Sequence, residues 1–171
     1  MLYWSPTFHM ELHSMTTPNE AQAFTGSILQ RCYLKGLSVE LPNAPKIFLE
    51  QGQMQMDLNL TLVNTQLDAT VFEVLVRGTL TSKIGDKVVY LIEAEQAGIF
   101  DVPGAGEQLD SVLNIDCPTL IYPYMRALMA DTIARTGLPV FHLPEVNWSA
   151  MYRDAVNARA LAAAPTVGAL Q

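Results

Sequence analysis

Apolar and polar side chains alternate along three stretches in the middle of the chain. Over residues 54–62, 72–80 and 90–94, most large apolar side chains stand at even positions and polar ones at odd positions. Successive side chains of a strand point to opposite faces. The pattern therefore predicts three strands that share one apolar face and one polar, acid-leaning face. Gly85, within residues 84–86, predicts the tight turn of a long antiparallel hairpin.

A first strand is predicted over residues 27–39, although its alternation is imperfect. Tyr33 shares one parity with the apolar Leu and Val residues, and Arg31 and Lys35 interrupt that series. Two prolines in residues 41–45 then remove backbone donors and end the strand. We therefore expect an edge strand here.

Two helices are predicted after the sheet. The principal helix covers residues 118–136 and ends before Gly137, with Pro123 in or near its first turn. Its apolar side chains cover most of its circumference, so one small sheet cannot bury it, and a second subunit is expected on the other side. An apolar loop follows, and Asn147 caps a second helix that runs to about Ala164.

Length and charge limit the classes of function. The chain has 171 residues, enough for one domain, and we expect a disordered leader over 1–26, a folded domain over 27–164 and a frayed tail over 165–171. A formal charge of −7 argues against nucleic acid and anionic membranes as partners and allows a basic one. No membrane-spanning run or secretory signal is found, which predicts a cytoplasmic protein without direct membrane insertion.

No convincing catalytic, cofactor-binding or metal site emerges from the sequence. Cys32 and Cys117 are isolated, and the histidines lie in the leader or the apolar loop. Glu93 and Glu95 share the polar face and leave open an acid–base pair, although a solvated face is the simpler interpretation. A binding protein is therefore expected, with an enzyme as the weaker alternative.

A set of apolar side chains beyond the sheet predicts a surface for varied apolar ligands. Aromatic groups and flexible Met side chains are typical of such surfaces. The set comprises Phe48, Val140, Phe141, Leu143, Trp148, Met151 and Tyr152.

Four segments resemble the SecB family of bacterial protein-export chaperones. They are residues 41–45 (LPNAP), 91–100 (LIEAEQAGIF), 117–126 (CPTLIYPYMR) and 139–148 (PVFHLPEVNW). The likeness covers about residues 29–156 in one register, and PNAP followed at this distance by YPYxR is a specific combination.

The resemblance implies an α+β fold with a four-stranded antiparallel sheet and two helices, assembled as a dimer of dimers. The long helices of this homotetramer would lie between the sheets of opposing dimers. The family binds unfolded precursor proteins without ATP, keeps them translocation-competent and delivers them to the motor ATPase SecA. The alternative left open is a SecB-like chaperone dedicated to one cytosolic partner such as an antitoxin, toward which Gly36 and a tail without acidic character lean.

The resemblance also assigns residues to surfaces. The SecA-binding surface falls on Glu40, Leu91 and Glu93. The oligomer interface falls on Tyr90, Ile92, Ala94 and Gln96, and the long helix adds Tyr124 and Leu128. Clients would contact the apolar set above, with Val146 added from the loop between the helices.

Overall fold

A computed structural model describes residues 26–163 of the chain, with side chains through residue 161. The predicted frayed tail and all but Gly26 of the predicted leader lie outside these residues.

Four strands form one antiparallel sheet. They are β1 (Ile28–Glu40), β2 (Gln55–Gln66), β3 (Val71–Ile84) and β4 (Lys87–Asp101). Their spatial order is β1-β4-β3-β2, so β3 and β4 are central and β1 is an edge strand, as predicted. The predicted hairpin is confirmed as well, because β3 and β4 pair and Gly85 in their turn has a φ of 58°.

Two helices follow the sheet, as the sequence predicted. They are α1 (Cys117–Arg135) and α2 (Trp148–Ala163), and irregular helical turns lead into α1 over Gly106–Gln108, Leu109–Ser111 and Val112–Asp116. Gly137, with a φ of 78°, follows the end of α1. Asn147 caps α2, since its Oδ1 accepts a hydrogen bond from the amide of Ala150 at 2.9 Å.

The position predicted for Pro123 is wrong. This residue lies inside α1, more than one turn past its start, whereas Pro118 occupies the first turn. A proline inside a helix leaves the carbonyl four residues earlier without its donor. That residue here is Thr119, and both it and Pro123 are exposed, so water can reach the freed carbonyl.

Helix α1 covers the inner face of the two central strands, and two glycines allow its close approach. A β-carbon on Gly78 of β3 would lie 2.9 Å from the Met125 sulfur, and one on Gly98 of β4 would lie 2.9 Å from Ile121 Cγ2. Even-numbered apolar residues near the middle of both strands, such as Leu80 and Ile92, are fully buried here. The predicted apolar face is therefore the face that carries the core.

Strand β1 changes which parity faces inward, and this explains its imperfect alternation. The register with β4 shifts between Leu29 and Arg31 and again between Leu34 and Gly36, so Gln30 and Lys35 are extra residues. Each extra residue in a strand exchanges the faces of the residues that follow it. Tyr33 therefore points to the outer face, opposite Ala97, and the prediction that it shares a face with the other apolar residues of β1 is wrong.

Candidate functional site

The segment between the two helices, residues 138–147 (here the crossover segment), has no regular secondary structure and is held against α1. Tyr122 Oη donates a hydrogen bond to the carbonyl of Pro144 at 2.8 Å. Arg126 Nε donates to the carbonyl of Leu143 at 3.0 Å, and its guanidinium pairs with Glu145. The backbone of this apolar segment is thus fixed at its middle.

The residues predicted to contact clients fall into three groups by exposure. Phe48, Val140 and Met151 are exposed, and Phe141, Val146 and Tyr152 are half-buried. Leu143 and Trp148 are buried in this chain, and Trp148 packs edge-to-face on Tyr122 with ring centroids 5.5 Å apart. A client could touch these two side chains only if the crossover segment moved.

A short 3-10 helix, Lys46–Leu49, presents two apolar side chains to solvent. Ile47 is buried and anchors the turn, whereas Phe48 is 48% and Leu49 85% exposed. The sequence analysis missed Leu49. Its signal was the apolar run IFL, but periodicity over three residues cannot tell which of them points inward.

Strand β2 adds a second apolar feature that the sequence analysis did not assign to a site. Its inner-face residues Met56, Leu58, Leu60 and Leu62 are only half-buried, and β2 is an edge of the sheet. The alternation was visible in the sequence, but the strand order that leaves this face partly open was not.

A cavity of about 200 Å³ lies between the end of β2 and α2. Its lining includes Leu62, Trp148, Met151, Tyr152 and Arg159. Tyr152 Oη donates a hydrogen bond to Asp110 at 2.7 Å, and this bond raises the pKa of the tyrosine. Three of the residues predicted to bind clients therefore meet around one small hollow.

The residues predicted to bind SecA lie together on the outer face. Glu40 is directly opposite Leu91, and Ser38 is opposite Glu93, so all four side chains share that face. Glu40 and Glu93 are exposed. Within residues 26–163, neither carboxylate forms an ion pair.

Further along the outer face, side chains from β1 reach across β4 to β3. Lys35 Nζ contacts Glu73 Oε2 at 2.8 Å, and Tyr33 Oη donates a hydrogen bond to the same carboxyl. Lys35 first, and Tyr33 second, hold the pKa of Glu73 below its ordinary value. We call Tyr33, Lys35 and Glu73 the outer clasp.

The residues predicted to form an oligomer interface divide between two places. Tyr90, Ile92, Ala94 and Gln96 lie on the inner face of β4 and are buried within this chain. Tyr124 is 55% exposed, and Leu128 is half-buried, both on α1. Only the positions on α1 are open to another subunit.

Two of the groups considered for catalysis are buried or already paired. Burial raises the pKa of the Cys117 thiol to about 11, so this thiol stays protonated near neutral pH. Glu95 is paired with Arg77 at 2.6 Å. Within the described part of the chain, no three His, Cys, Asp or Glu side chains are grouped to hold a metal ion.

A sheet with one face under a helix, a polar second face with exposed carboxylates, and apolar side chains exposed around it defines an α+β binding domain. Residues 5–159 match the family model described as preprotein translocase subunit SecB. The chain belongs to the SecB family.

Curated relatives agree with this assignment. The chain is 53% identical to the protein-export protein SecB of Bordetella petrii over 127 residues, covering 74% of this chain and 73% of the relative. It is 50% identical to that of Bordetella avium over 143 residues, 83% of this chain and 81% of the relative. The SecB of Ralstonia nicotianae is 50% identical over 127 residues, covering 74% of this chain and 73% of the relative.

The fold is similar to that of a Mycobacterium tuberculosis SecB-like chaperone solved in complex with a ChAD peptide from the HigA1 antitoxin. The TM-score is 0.61 at 20% identity, and the match covers 71% of this chain and 91% of that one. This likeness concerns the fold. None of the helices within residues 26–163 combines the length and apolar character needed to cross a membrane.

Proposed function

We propose that this SecB-family chain is an ATP-independent chaperone that binds unfolded precursor proteins in the cytoplasm and delivers them to SecA for export. Relatives about 50% identical over three quarters of the chain carry the name protein-export protein SecB. The structural observation that supports client binding most directly is the exposed pair Phe48 and Leu49, which an anchored turn holds out in solvent.

The proposed client surface combines this turn with the exposed part of the crossover segment and the start of α2. Its exposed members are Phe48, Leu49, Val140 and Met151. An unfolded client loses conformational entropy on binding, so each contact contributes little. Several weak apolar contacts, repeated across the subunits of an assembly, would raise the overall affinity through avidity.

A titration of the protein against one secretory precursor tests this proposal, with the precursor presented denatured and, in parallel, folded. Leu49→Ser should weaken binding of the denatured precursor without lowering stability, because Leu49 is 85% exposed. Leu67→Ser is the matched control, since Leu67 is 54% exposed in the turn at the other end of β2. Equal binding of folded and denatured precursor would refute the chaperone proposal.

The part of the outer face around Glu40, Leu91 and Glu93 is the proposed docking surface for SecA. Glu40 and Glu93 are exposed without an ion pair in the described chain, and Leu91 between them is half-buried. Exposed carboxylates around an apolar residue suit a basic partner. SecA binding that survives Glu93→Gln unchanged would argue against this surface.

Assembly as a dimer of dimers is proposed from α1. Leu120 and Tyr124 are 45% and 55% exposed on a helix whose other side is buried against the sheet. Tyr124→Asp should dissociate the assembly and leave the fold intact. Light scattering checks this, with the 18.8 kDa chain expected at about four times that mass before the substitution.

The inner-face residues Ile92 and Gln96 would influence assembly indirectly, because both are buried within this chain, where Gln96 Nε2 donates a hydrogen bond to the Tyr33 carbonyl of β1 at 2.9 Å. A chaperone dedicated to one antitoxin is not proposed. The structural neighbour that binds an antitoxin peptide is 20% identical, and its likeness is one of fold.

A further inference from the structure

Three residues form one row across the outer face, next to the proposed SecA-docking surface. Arg77 of β3 is directly opposite Glu95 of β4, and Glu95 is directly opposite Gly36 of β1. Directly opposite residues of antiparallel strands place their side chains on the same face. The glutamate therefore stands between a guanidinium on one side and a residue without a side chain on the other.

The carboxylate of Glu95 is held in one orientation. Arg77 Nε lies 2.8 Å and Arg77 Nη2 lies 2.6 Å from the same oxygen, Oε1. Oε2 is turned toward Gly36, where a β-carbon would lie 3.2 Å from it. Two donors on one oxygen thus leave the second oxygen over the glycine, and no hydrogen bond from residues 26–163 reaches it.

The row borders an open notch of about 370 Å³. Its lining includes Gly36, Ser38, Arg77, Glu93 and Glu95. Glu93 is the next outward-pointing residue of β4, so two carboxylates and one guanidinium surround the notch. The free oxygen of Glu95 and the carboxylate of Glu93 together suit a cationic side chain of a partner.

We propose that Arg77 is a positioning residue for SecA docking: it fixes Glu95 over Gly36 so that Oε2 and Glu93 receive one basic side chain of SecA. This inference rests on the proposed function, since it assumes that SecA docks on the outer face. Fixing the carboxylate before the encounter removes part of the rotamer entropy that binding would otherwise cost.

If Arg77 acted only through its charge, its removal would change the affinity for SecA in the opposite direction. Removing a cation makes the outer face more negative, and a more negative face attracts a basic partner more strongly. Removing a positioning group releases Glu95 instead and weakens binding. The direction of one affinity change therefore separates the two roles.

The test measures SecA binding to the intact protein by calorimetry for four variants. Arg77→Gln should weaken binding by about threefold, the scale of an exposed ion pair. Arg77→Lys should restore part of the loss, because an ammonium can hold the same oxygen. Lys83→Gln is the control for charge, since Lys83 is exposed on the same strand about 20 Å away. Glu93→Gln reports on the docking surface itself, and thermal unfolding checks that each variant is folded.

Weaker binding of Arg77→Gln, with unchanged or tighter binding of Lys83→Gln, supports the inference. Tighter binding of Arg77→Gln, or a change equal to that of Lys83→Gln, overturns it even if Glu93→Gln weakens binding and the docking surface stands. No effect of Glu93→Gln overturns the docking surface, and the positioning role fails with it.

Discussion

The two faces of the sheet are fixed by different forces. On the inner face, close packing determines the structure. Helix α1 lies so near β3 and β4 that a methyl group would not fit at Gly78 or Gly98. On the outer face, Arg77 reaches a carboxylate on the neighbouring strand, and Lys35 reaches one two strands away. Close-packed interiors transmit any change of volume, whereas exposed ion pairs contribute little to stability. The inner face should therefore control folding, and the outer face should be free to specify a partner.

The largest contrast is expected between two adjacent residues of β4. Ile92 is fully buried on the inner face and Leu91 is half-buried on the outer one. Ile92→Ala should lower the free energy of unfolding by about 3 kcal/mol, because a buried aliphatic group is lost and a cavity remains. Leu91→Ala should lower it by less than about 1 kcal/mol, because less apolar surface is lost from the fold, and should mainly weaken SecA binding. Urea unfolding of both variants checks this, and equal losses would contradict the comparison.

Adding volume to the inner face should also be costly. A β-carbon on Gly98 would lie 2.6 Å from the Phe100 ring, so Gly98→Ala should lower the free energy of unfolding by about 2 kcal/mol through overpacking. Gly36→Ala on the outer face is the control. Its β-carbon would meet only the Glu95 side chain, no closer than 3.2 Å, and a change below about 0.5 kcal/mol is expected in the same denaturation assay.

The outer clasp should contribute a smaller, pH-dependent stability. Because Lys35 and Tyr33 lower the pKa of Glu73 from its ordinary 4.5, the ionised form is the one stabilised in the folded state. This stability is present above that ordinary value and is lost as the pH falls through the lower folded value. Glu73→Gln should therefore cost about 1 kcal/mol at pH 7 and almost nothing well below pH 4.5. Thermal unfolding as a function of pH measures the difference, and a cost that grows toward acid pH would contradict it.

The smallest effect on stability is expected at Glu40. This carboxylate is exposed and has no ion pair among residues 26–163, so Glu40→Gln should change the free energy of unfolding by less than about 0.5 kcal/mol. SecA affinity should nevertheless fall, since one attractive charge is removed from the proposed docking surface. Calorimetry with SecA, beside the unfolding assay, separates the two outcomes.

The sequence contained enough to predict the sheet and its faces. Alternation over residues 54–62, 72–80 and 90–94 identifies which side chains point inward, because the period of two is a local property. Gly85 and Gly137 are local signals as well. Both adopt a positive φ, which glycine allows, and they mark the hairpin turn and the end of α1. Local signals of this kind do not depend on what packs against them.

Features set by contacts between distant residues were not predictable in this way. In the sequence, Leu143 and Trp148 look like the other apolar residues in and beside the crossover segment. In the structure, hydrogen bonds from Tyr122 and Arg126 hold that segment against α1, and both side chains are buried. Their partners lie about twenty residues away along the chain, so no local pattern reveals them. The pairing of Arg77 with Glu95 likewise depends on the strand register.

The two extra residues of β1 compensate each other in the even–odd alternation of the strand. Between Gln30 and Lys35 the even-numbered residues of β1 face inward, whereas before and after them the odd-numbered residues do. Leu29 and Leu37 therefore both face inward. Neither extra residue has a partner on β4, so deleting Lys35 would leave Leu34 opposite Gln96 and Gly36 opposite Glu95 in an unbroken ladder, and Leu37 would still face inward. The residues after each extra residue thus keep their faces when that residue is removed, and the loss of Lys35 would instead remove the cation of the outer clasp.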